Sequence, residues 1–467
     1  MTNKLLDSVK LLLCMFFLFF ACSDKEFFVQ DLVQDESTIP EDVTFVSAKQ
    51  AVEVANAFFN KQDGSSVLKS STGERKVLVE AIKEGNAPLM YIVNYPEDGW
   101  AIVGASKDCY PVLAYSEKGN FELNPEIGGL IIWMDEVKQD IAASTSADDE
   151  TKAKMHSMWS SYEVSKRTQN VSTMLKSANP LQDAYDQRLE QLNYQYANAG
   201  WYFCNYSNAN LSSSAQAQIL QNCTYYGCSP DYVIVGIKDT YNNQTVGPLV
   251  QTKWKQGSPY NVFVPNLYPA GCGAVAMAQI MNYHRYPANL YFNGVLINWN
   301  VMSDIDAALL IAFSGVAAKT NYGANGSSAT TGNIVDALRG PFIYTVSRHN
   351  HNSVNVAAQL LNYQRPVIMF GTPAILNPNG HYWVCDGAQS INYQSYYFAE
   401  YPIPYGYQTY YYDNGTGNPW AGNPGNANGY NYLYLSMNWG WGSNSAWCIH
   451  TENAGYSNNR EDLYISK

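Results

Sequence analysis

The stretch Ala270-Gly271-Cys272-Gly273-Ala274-Val275-Ala276-Met277-Ala278-Gln279-Ile280-Met281-Asn282-Tyr283-His284 constrains this chain more than any other. Gly-Cys-Gly is loop-like and the run behind it is helix-forming, with Ala274, Ala276 and Ala278 small enough for another element to approach closely. Cys272 is therefore expected at a helix N-terminus, where unpaired backbone N–H groups and the helix dipole favour thiolate over thiol. Such a cysteine is either an activated nucleophile or a small buried hydrophobe.

A thiolate nucleophile needs a base, and the candidates are His156, His284, His349, His351, His381 and His450. His284 lies on the same expected helix, about 18 Å from Cys272 at ~1.5 Å per residue, and is out of reach. His156 falls in a polar stretch, and His349 and His351 flank Asn350 without strand or helix support, which reads as solvated surface. His381 differs. Pro366–Phe370 reads as a buried strand, Gly371–Gly380 as a loop and His381–Gly387 as a second strand, so the imidazole starts a strand where it meets a helix-borne thiol on a facing layer. Cys385, about 13 Å further along that strand, reads as core, and Asp386-Gly387 as turn chemistry.

Two further elements belong with this pair. Asn438-Trp439-Gly440-Trp441-Gly442 follows the strand-like Tyr432–Met437. An Asn amide oxygen accepts a histidine Nδ1–H and fixes its tautomer, and an indole shields that bond from water; tryptophans flanked by glycine equally suit core anchors on a bulged strand. Gln256, sixteen residues before Cys272, offers an amide that would form an oxyanion hole with the Cys272 N–H. A lone glutamine is otherwise a surface residue.

The remaining chain sets the context. Its 467 residues, 46% hydrophobic and 15% charged, suffice for two to three domains with real cores and exclude a disordered or collagen-like polymer. A formal charge of −12 without a Lys/Arg-rich stretch argues against a nucleic-acid partner. Lys4 and Lys10 precede an apolar run from Leu11 to Ala21, too short to span a hydrocarbon core that needs about 20 residues, so residues 1–22 read as a signal peptide. Ala21-Cys22 resembles a bacterial lipobox, with Cys22 as the lipidation site and Phe20 as a departure. The polar Ser23–Glu26 that follows resembles the surface-export tag of lipoproteins in the Bacteroides group. A secreted or outer-membrane lipoprotein is expected, with the membrane met only through that lipid.

Beyond the signal, seven cysteines form an odd set, which leaves at least one thiol unpaired in an oxidising compartment. Cys223 and Cys228 are too far apart for a CxxC motif and read as a disulfide or a spectator pair. No metal and no cofactor is implied.

Residues 43–142 read as a compact α+β unit: a helix over Ala48–Phe59, strands near Lys76–Ala81, Leu89–Asn94, Trp100–Gly104 and Tyr110–Tyr115, and a helix over Ile127–Ile141. Residues 143–244 turn to Ser, Asn, Gln, Thr and Tyr and read as a linker with one helix at Leu181–Ala197. Residues 245–467 form a larger α+β domain with a Tyr/Asn/Gly-rich insertion near 390–429.

Taken in order, Gln256–Asn261, Gly271–Pro287, Gly380–Gly387 and Asn438–Gly442 resemble the streptopain family of papain-like cysteine peptidases. The resemblance implies a two-lobed papain-like domain, Cys272 as nucleophile and His381 as general base and acid of an acyl-enzyme endopeptidase acting on protein or peptide substrates. It also implies that Asn438, Trp439 or Trp441 supports the histidine and that Gln256 serves the oxyanion. Phe45–Ala48, Tyr91–Asn94 and Gly99–Ala105 are similar to the family's inhibitory prodomain, which implies a zymogen inhibited by its own chain and activated by cleavage in residues 143–244. The 57 residues from His381 to Asn438 exceed the family's usual spacing, making the insertion a flap or binding appendage. Other readings are a different Cys-His acyl transferase, or a catalytically idle surface-binding protein on the same fold.

Overall fold

The structure is a computed structural model and describes residues 44–62, 77–96, 99–123, 128–160, 162, 180–196, 199–209, 211, 213–300, 302–372, 380–411, 425–442, 445–450 and 460–467. The signal and lipidation expectations, Cys22 included, lie outside the described residues. Among those described, no helix is long and apolar enough to cross a membrane.

The N-terminal unit begins with α1 (Ala48–Gln62). Ser47 and Gln50 form a reciprocal cap at its start: Gln50 N donates to Ser47 Oγ and Ser47 N to Gln50 Oε1 at 2.8 Å. Its apolar stripe, Ala51, Val54, Ala55 and Phe58, is buried against an antiparallel meander of β1 (Leu78–Glu84), β2 (Ala87–Tyr95), β3 (Gly99–Gly104) and β4 (Val112–Ser116). Two helices follow, α2 (Gly128–Ser144) and α3 (Asp149–Ser160). Although α3 falls in the expected linker, its Trp159 is 2% exposed and donates through Nε1 to the Cys109 carbonyl at 2.7 Å. It is part of this unit's core.

More of the expected linker is folded. Trp201–Asn205 (β5) and Ile234–Val246 (β6) form two strands between helices: Pro180–Gln195 (α4) packs Tyr185 and Leu192 against Ile234, and Ser213–Tyr226 (α5) packs on a second small core of Ile219, Val233, Val235 and Tyr401. Arg188 of α4 holds the buried Glu400 with two hydrogen bonds, Nε at 2.5 Å and Nη2 at 2.7 Å. A polar surface composition concealed this layer, because its strands take their apolar partners from a segment far along the chain. Cys223 and Cys228 within it are not joined by a disulfide, so of the two expected alternatives the structure has the spectator pair.

The helical lobe comprises α6 (Cys272–His284), α7 (Asp304–Ala317) and α8 (Thr331–Arg339), the second of them started by a Ser303/Asp306 capping box. After β7 (Tyr291–Phe292) and β8 (Val295–Leu296), a small hairpin, the sheet lobe gathers β9 (Thr345–Asn350), α9 (Ser353–Tyr363), β10 (Val367–Gly371), β11 (His381–Ile403), β12 (Gly406–Tyr411), β13 (Gly425–Asn438), β14 (Ala446–His450) and β15 (Glu461–Ser466). Strand alternation divides β10 and β11 between two cores. Ile368, Tyr382 and Val384 face the helices around Met277, Ile280, Leu310 and Ile334, whereas Val367, Met369, Trp383 and Cys385 face α9 and the N-terminal unit.

β11 is the spine of the molecule. Residues 381–385 pair with β10, and from Ala388 onward β6 takes over that flank while β13 runs along the other. At the handover Gly247 has φ +96°, and a Cβ there would lie 2.4 Å from the Asp386 carbonyl oxygen, so only glycine fits. The segment expected as an appended flap is thus, in its described part, a continuation of the sheet.

β14 joins the two units: it pairs with β4 through Trp447↔Tyr115 and Cys448↔Ala114, making one sheet of 13 strands among the described residues. Tyr115 is 1% exposed, stacks on Trp447 and donates to Gln389 Oε1 at 2.8 Å, while Tyr434 donates to the Val112 carbonyl at 2.9 Å. Truncating this ring loses both burial and a hydrogen bond. Tyr115→Ala in a Cys272→Ala chain should lower stability by about 3–5 kcal/mol in urea unfolding; a loss under about 1 kcal/mol would show that the ring does not hold the joint.

Candidate active site

Cys272 is the first residue of α6, and Gly271 before it turns the chain at φ +92°. The small residues around it have a steric cause. A Cβ on Gly273 would meet Ile334 Cδ1 at 2.6 Å, and one on Gly315 of α7 would come within 3.6 Å of Ala274 Cβ. The Sγ accepts the Tyr382 N–H at 3.4 Å and shares a side-chain hydrogen bond with His381.

His381 Nε2 lies 3.2 Å from the Trp439 carbonyl oxygen, to which it donates, leaving Nδ1 for the thiol. Trp383 is stacked parallel to the imidazole with centroids 6.2 Å apart, and Trp439 tilts against Trp383 at 5.5 Å. Burial alone would push the thiol up, but the facing imidazolium charge and hydrogen bond, with the Tyr382 and Gly273 N–H groups, bring Cys272 below its ordinary value. Burial likewise lowers His381, and the thiolate, the bond to it and the Trp439 carbonyl reverse that, leaving the imidazole raised. The charged form of each group therefore favours that of the other.

Asn438 does not hold the histidine. Its Oδ1 accepts Gln279 Nε2 at 3.1 Å and Gly440 N at 3.2 Å, and its Nδ2 donates to the Thr252 carbonyl at 2.9 Å. It shapes the turn that presents the Trp439 carbonyl, a turn completed by Gly440 at φ +73°. Gln279 was not singled out from the sequence. It sits seven residues after Cys272, two turns along the same helix face, is 1% exposed, and ties the thiol-bearing helix to the strand end beside the histidine. The signal was available: one amide in the otherwise apolar run Gly273–Met281.

Trp441 is half-buried and forms an isolated bridge with Lys255, while the Gln256 carbonyl accepts the Ala270 N–H at 2.9 Å. The Gln256 loop is thereby fastened to both the tryptophan motif and the residues entering α6. Other histidines stand apart. His284 meets the Tyr344 hydroxyl at 3.3 Å and is pushed down to about 4 by burial. His351, expected at the surface, is buried with Nδ1 2.9 Å from Asp462. His156 meets Asp108 at 2.8 Å.

Helix α2 of the N-terminal unit covers this site. A Cβ on its Gly129 would fall 2.4 Å from Trp439 Cε3 and 3.1 Å from His381 Cδ2. Only a glycine lets the helix backbone come so close.

Residues 254–447 match the model of the Peptidase C10 family, and residues 43–141 that of the Spi protease inhibitor. Streptopain of Streptococcus pyogenes is 26% identical over 196 residues, 30% of this chain and 48% of streptopain, and streptopain of serotype M1 of that species matches to the same extent. The chain spans about half the length of the curated relatives it matches. Among solved structures, a fragment of prointerpain A from Prevotella intermedia is 15% identical and aligns over 84% of this chain and 98% of its own with a TM-score of 0.43. Active interpain A from that organism is 21% identical over 47% of this chain and 94% of its own, with a TM-score of 0.32.

Asp386, expected in a turn, lies inside β11 at a register shift between Cys385 and Gly387 and is fully buried. It accepts the Ser436 hydroxyl at 2.7 Å and the Ser445 hydroxyl at 3.1 Å. Burial pushes its carboxyl up to about 7 despite those bonds. Because the folded value exceeds the unfolded one of about 3.9, its contribution to stability is complete below pH ~4 and is lost as pH rises toward 7. Asp386→Asn should flatten the fall in urea midpoint across that window; an unaltered slope would place the titration elsewhere.

Proposed function

We propose that this streptopain-like chain, whose Spi-type inhibitor domain precedes a Peptidase C10 domain, is the zymogen of a cysteine endopeptidase. The observation that carries the reading is the Cys272–His381 hydrogen bond, with the imidazole held from behind by the Trp439 carbonyl. The Cys272 thiolate attacks the scissile carbonyl, and the Cys272 N–H with the Gln256 amide receives the oxyanion. Collapse of the tetrahedral intermediate breaks the C–N bond while His381 gives its Nδ1 proton to the leaving amine. Water, deprotonated by His381, then hydrolyses the thioester. Trp439 supplies the carbonyl that fixes the tautomer, Asn438 positions that carbonyl, and Trp441 braces the Gln256 loop. The N-terminal hydrophobic segment supports export, with Cys22 as lipid anchor of a secreted or surface protein.

Latency follows from α2 lying over His381 and Trp439. Full-length protein lacking residues 1–22 should lose its N-terminal unit under reducing conditions and then degrade casein, and Cys272→Ala should abolish both. Iodoacetamide labelling of Cys272 in the processed protein should persist well below the ordinary thiol value of about 8.5, with His381→Ala moving the midpoint up. A thiol inert at neutral pH after processing would sink the enzyme reading and leave a binding protein.

Gly129→Val tests occlusion separately. The added carbons have no room against Trp439, so the helix should lift and processing begin with a shorter lag. An unchanged lag would mean that α2 does not hold the zymogen silent.

A further inference from the structure

One face of α2 tracks across the sheet surface that carries His381. Gly129, Ile132, Trp133 and Glu136 stand at i, i+3, i+4 and i+7 of that face. Gly129 abuts His381 and Trp439, and Ile132 Cγ2 lies 3.3 Å from where a Cβ of Gly371 would be. One turn on, both Glu136 carboxylate oxygens accept Arg460 Nη1, at 2.7 and 2.6 Å. The Arg460 guanidinium lies 5.5 Å from the Trp383 ring, its residue is 5% exposed, and its Nε has no partner. Asp462, which follows on the same face of β15, is engaged elsewhere, by His351 Nδ1 at 2.9 Å and Asn352 N at 3.0 Å.

Register fixes where Arg460 stands. Gly371 pairs with His381 and Phe370 with Glu461, so Arg460 is two strands from the histidine, about 10 Å at ~4.8 Å per strand. In the proposed reaction His381 protonates the leaving amine, so the leaving peptide lies on the imidazole side, over Trp383 and toward β15. Ten ångströms of extended peptide at ~3.3 Å per residue reaches the second or third residue after the scissile bond.

We infer that Arg460 selects an acidic side chain at the second or third residue beyond the scissile bond, and that Glu136 occupies this subsite in the zymogen; the inference rests on the peptidase reading above. Loss of α2 leaves a guanidinium against an indole with its donors unpaired. A substrate carboxylate restores those charge-assisted bonds, a neutral side chain does so only in part, and a lysine is repelled.

The test uses processed protein from the full chain and peptides identical except for Glu, Gln or Lys at those two positions. The wild type should prefer Glu over Gln by about tenfold in kcat/KM and reject Lys further, with the preference shrinking as salt rises. Arg460→Gln should bring the Glu/Gln ratio to about one, and Arg460→Glu should favour Lys. Because Arg460→Gln alone leaves the half-buried Glu136 without its partner in the zymogen, the double variant Glu136→Gln, Arg460→Gln keeps that interface neutral and yields the same ratio if the single variant fails to mature. A wild type that cleaves the Gln peptide with no preference, or an Arg460→Gln variant that retains one, overturns the role of Arg460 and leaves the peptidase reading standing. Failure to cleave any of the peptides together with an inert Cys272 thiol would overturn both.

Discussion

A half-buried thiol and a buried imidazole meet between two lobes, and their hydrogen bond sets the demands that the surrounding structure meets. Burial disfavours the charged form of each group, and each charged form is favoured only where the two are held face to face. That requires a helix start and a strand start, far apart in sequence, to be fixed to within a fraction of an ångström. The Tyr382 N–H on Sγ couples the strand directly to the nucleophile, and the Gln279–Asn438–Thr252 bonds couple the helix, the end of β13 and the entering loop. These are neutral amides, so they orient the dyad without carrying a charge that would compete with it, Gln279 through its Nε2 alone and with its buried Oε1 left without a partner.

The N-terminal unit uses the same sheet twice. Through β4 it covers the edge of β14, which would otherwise present unpaired backbone groups, and through α2 it covers the face bearing His381, Trp383 and Arg460. The first contact is generic backbone pairing reinforced by the Tyr115, Tyr434 and Trp447 rings. The second is specific, because it depends on a glycine at the closest approach and on a carboxylate two turns further along the same face. Separating edge pairing from cleft covering means that loosening α2 need not detach the whole unit.

Much of this was legible from residue type. A Gly-Cys-Gly turn ahead of small helix-formers marks Cys272, and an apolar strand behind His381 marks the imidazole, since both signals are local and periodic. The support of the histidine was less legible because a main-chain carbonyl makes the bond, and a carbonyl leaves no trace in the choice of side chain; Asn438 drew attention by its type and acts one step removed. The folded layer over 180–246 was obscured for another reason. Its strand β6, flanked by β5, pairs with β11, where Tyr397, Ala399 and Tyr401 face one core and Phe398 another, so neither partner shows a clean alternation of apolar and polar residues. Asp386 was misplaced because an Asp-Gly pair is common turn chemistry, whereas here the glycine admits a crossing backbone and the acid is satisfied by two serines distant in sequence.

The dyad beneath α2 is already assembled, with Tyr382 N–H on the thiol, the imidazole beside it and the Trp439 carbonyl behind. Under the proposed function, inhibition therefore acts on access rather than on geometry, and activation needs removal of a cover rather than reconstruction of a site. That arrangement has a physical cost for the cover, since it must desolvate the polar dyad and a guanidinium while binding them. Glu136 offsets the second part by pairing with Arg460, and Gly129 avoids burdening the first by placing backbone, not side chain, against the imidazole. A cover built in this way binds by matching the site's own charges, so the pattern of its contacts describes what the uncovered cleft is suited to hold.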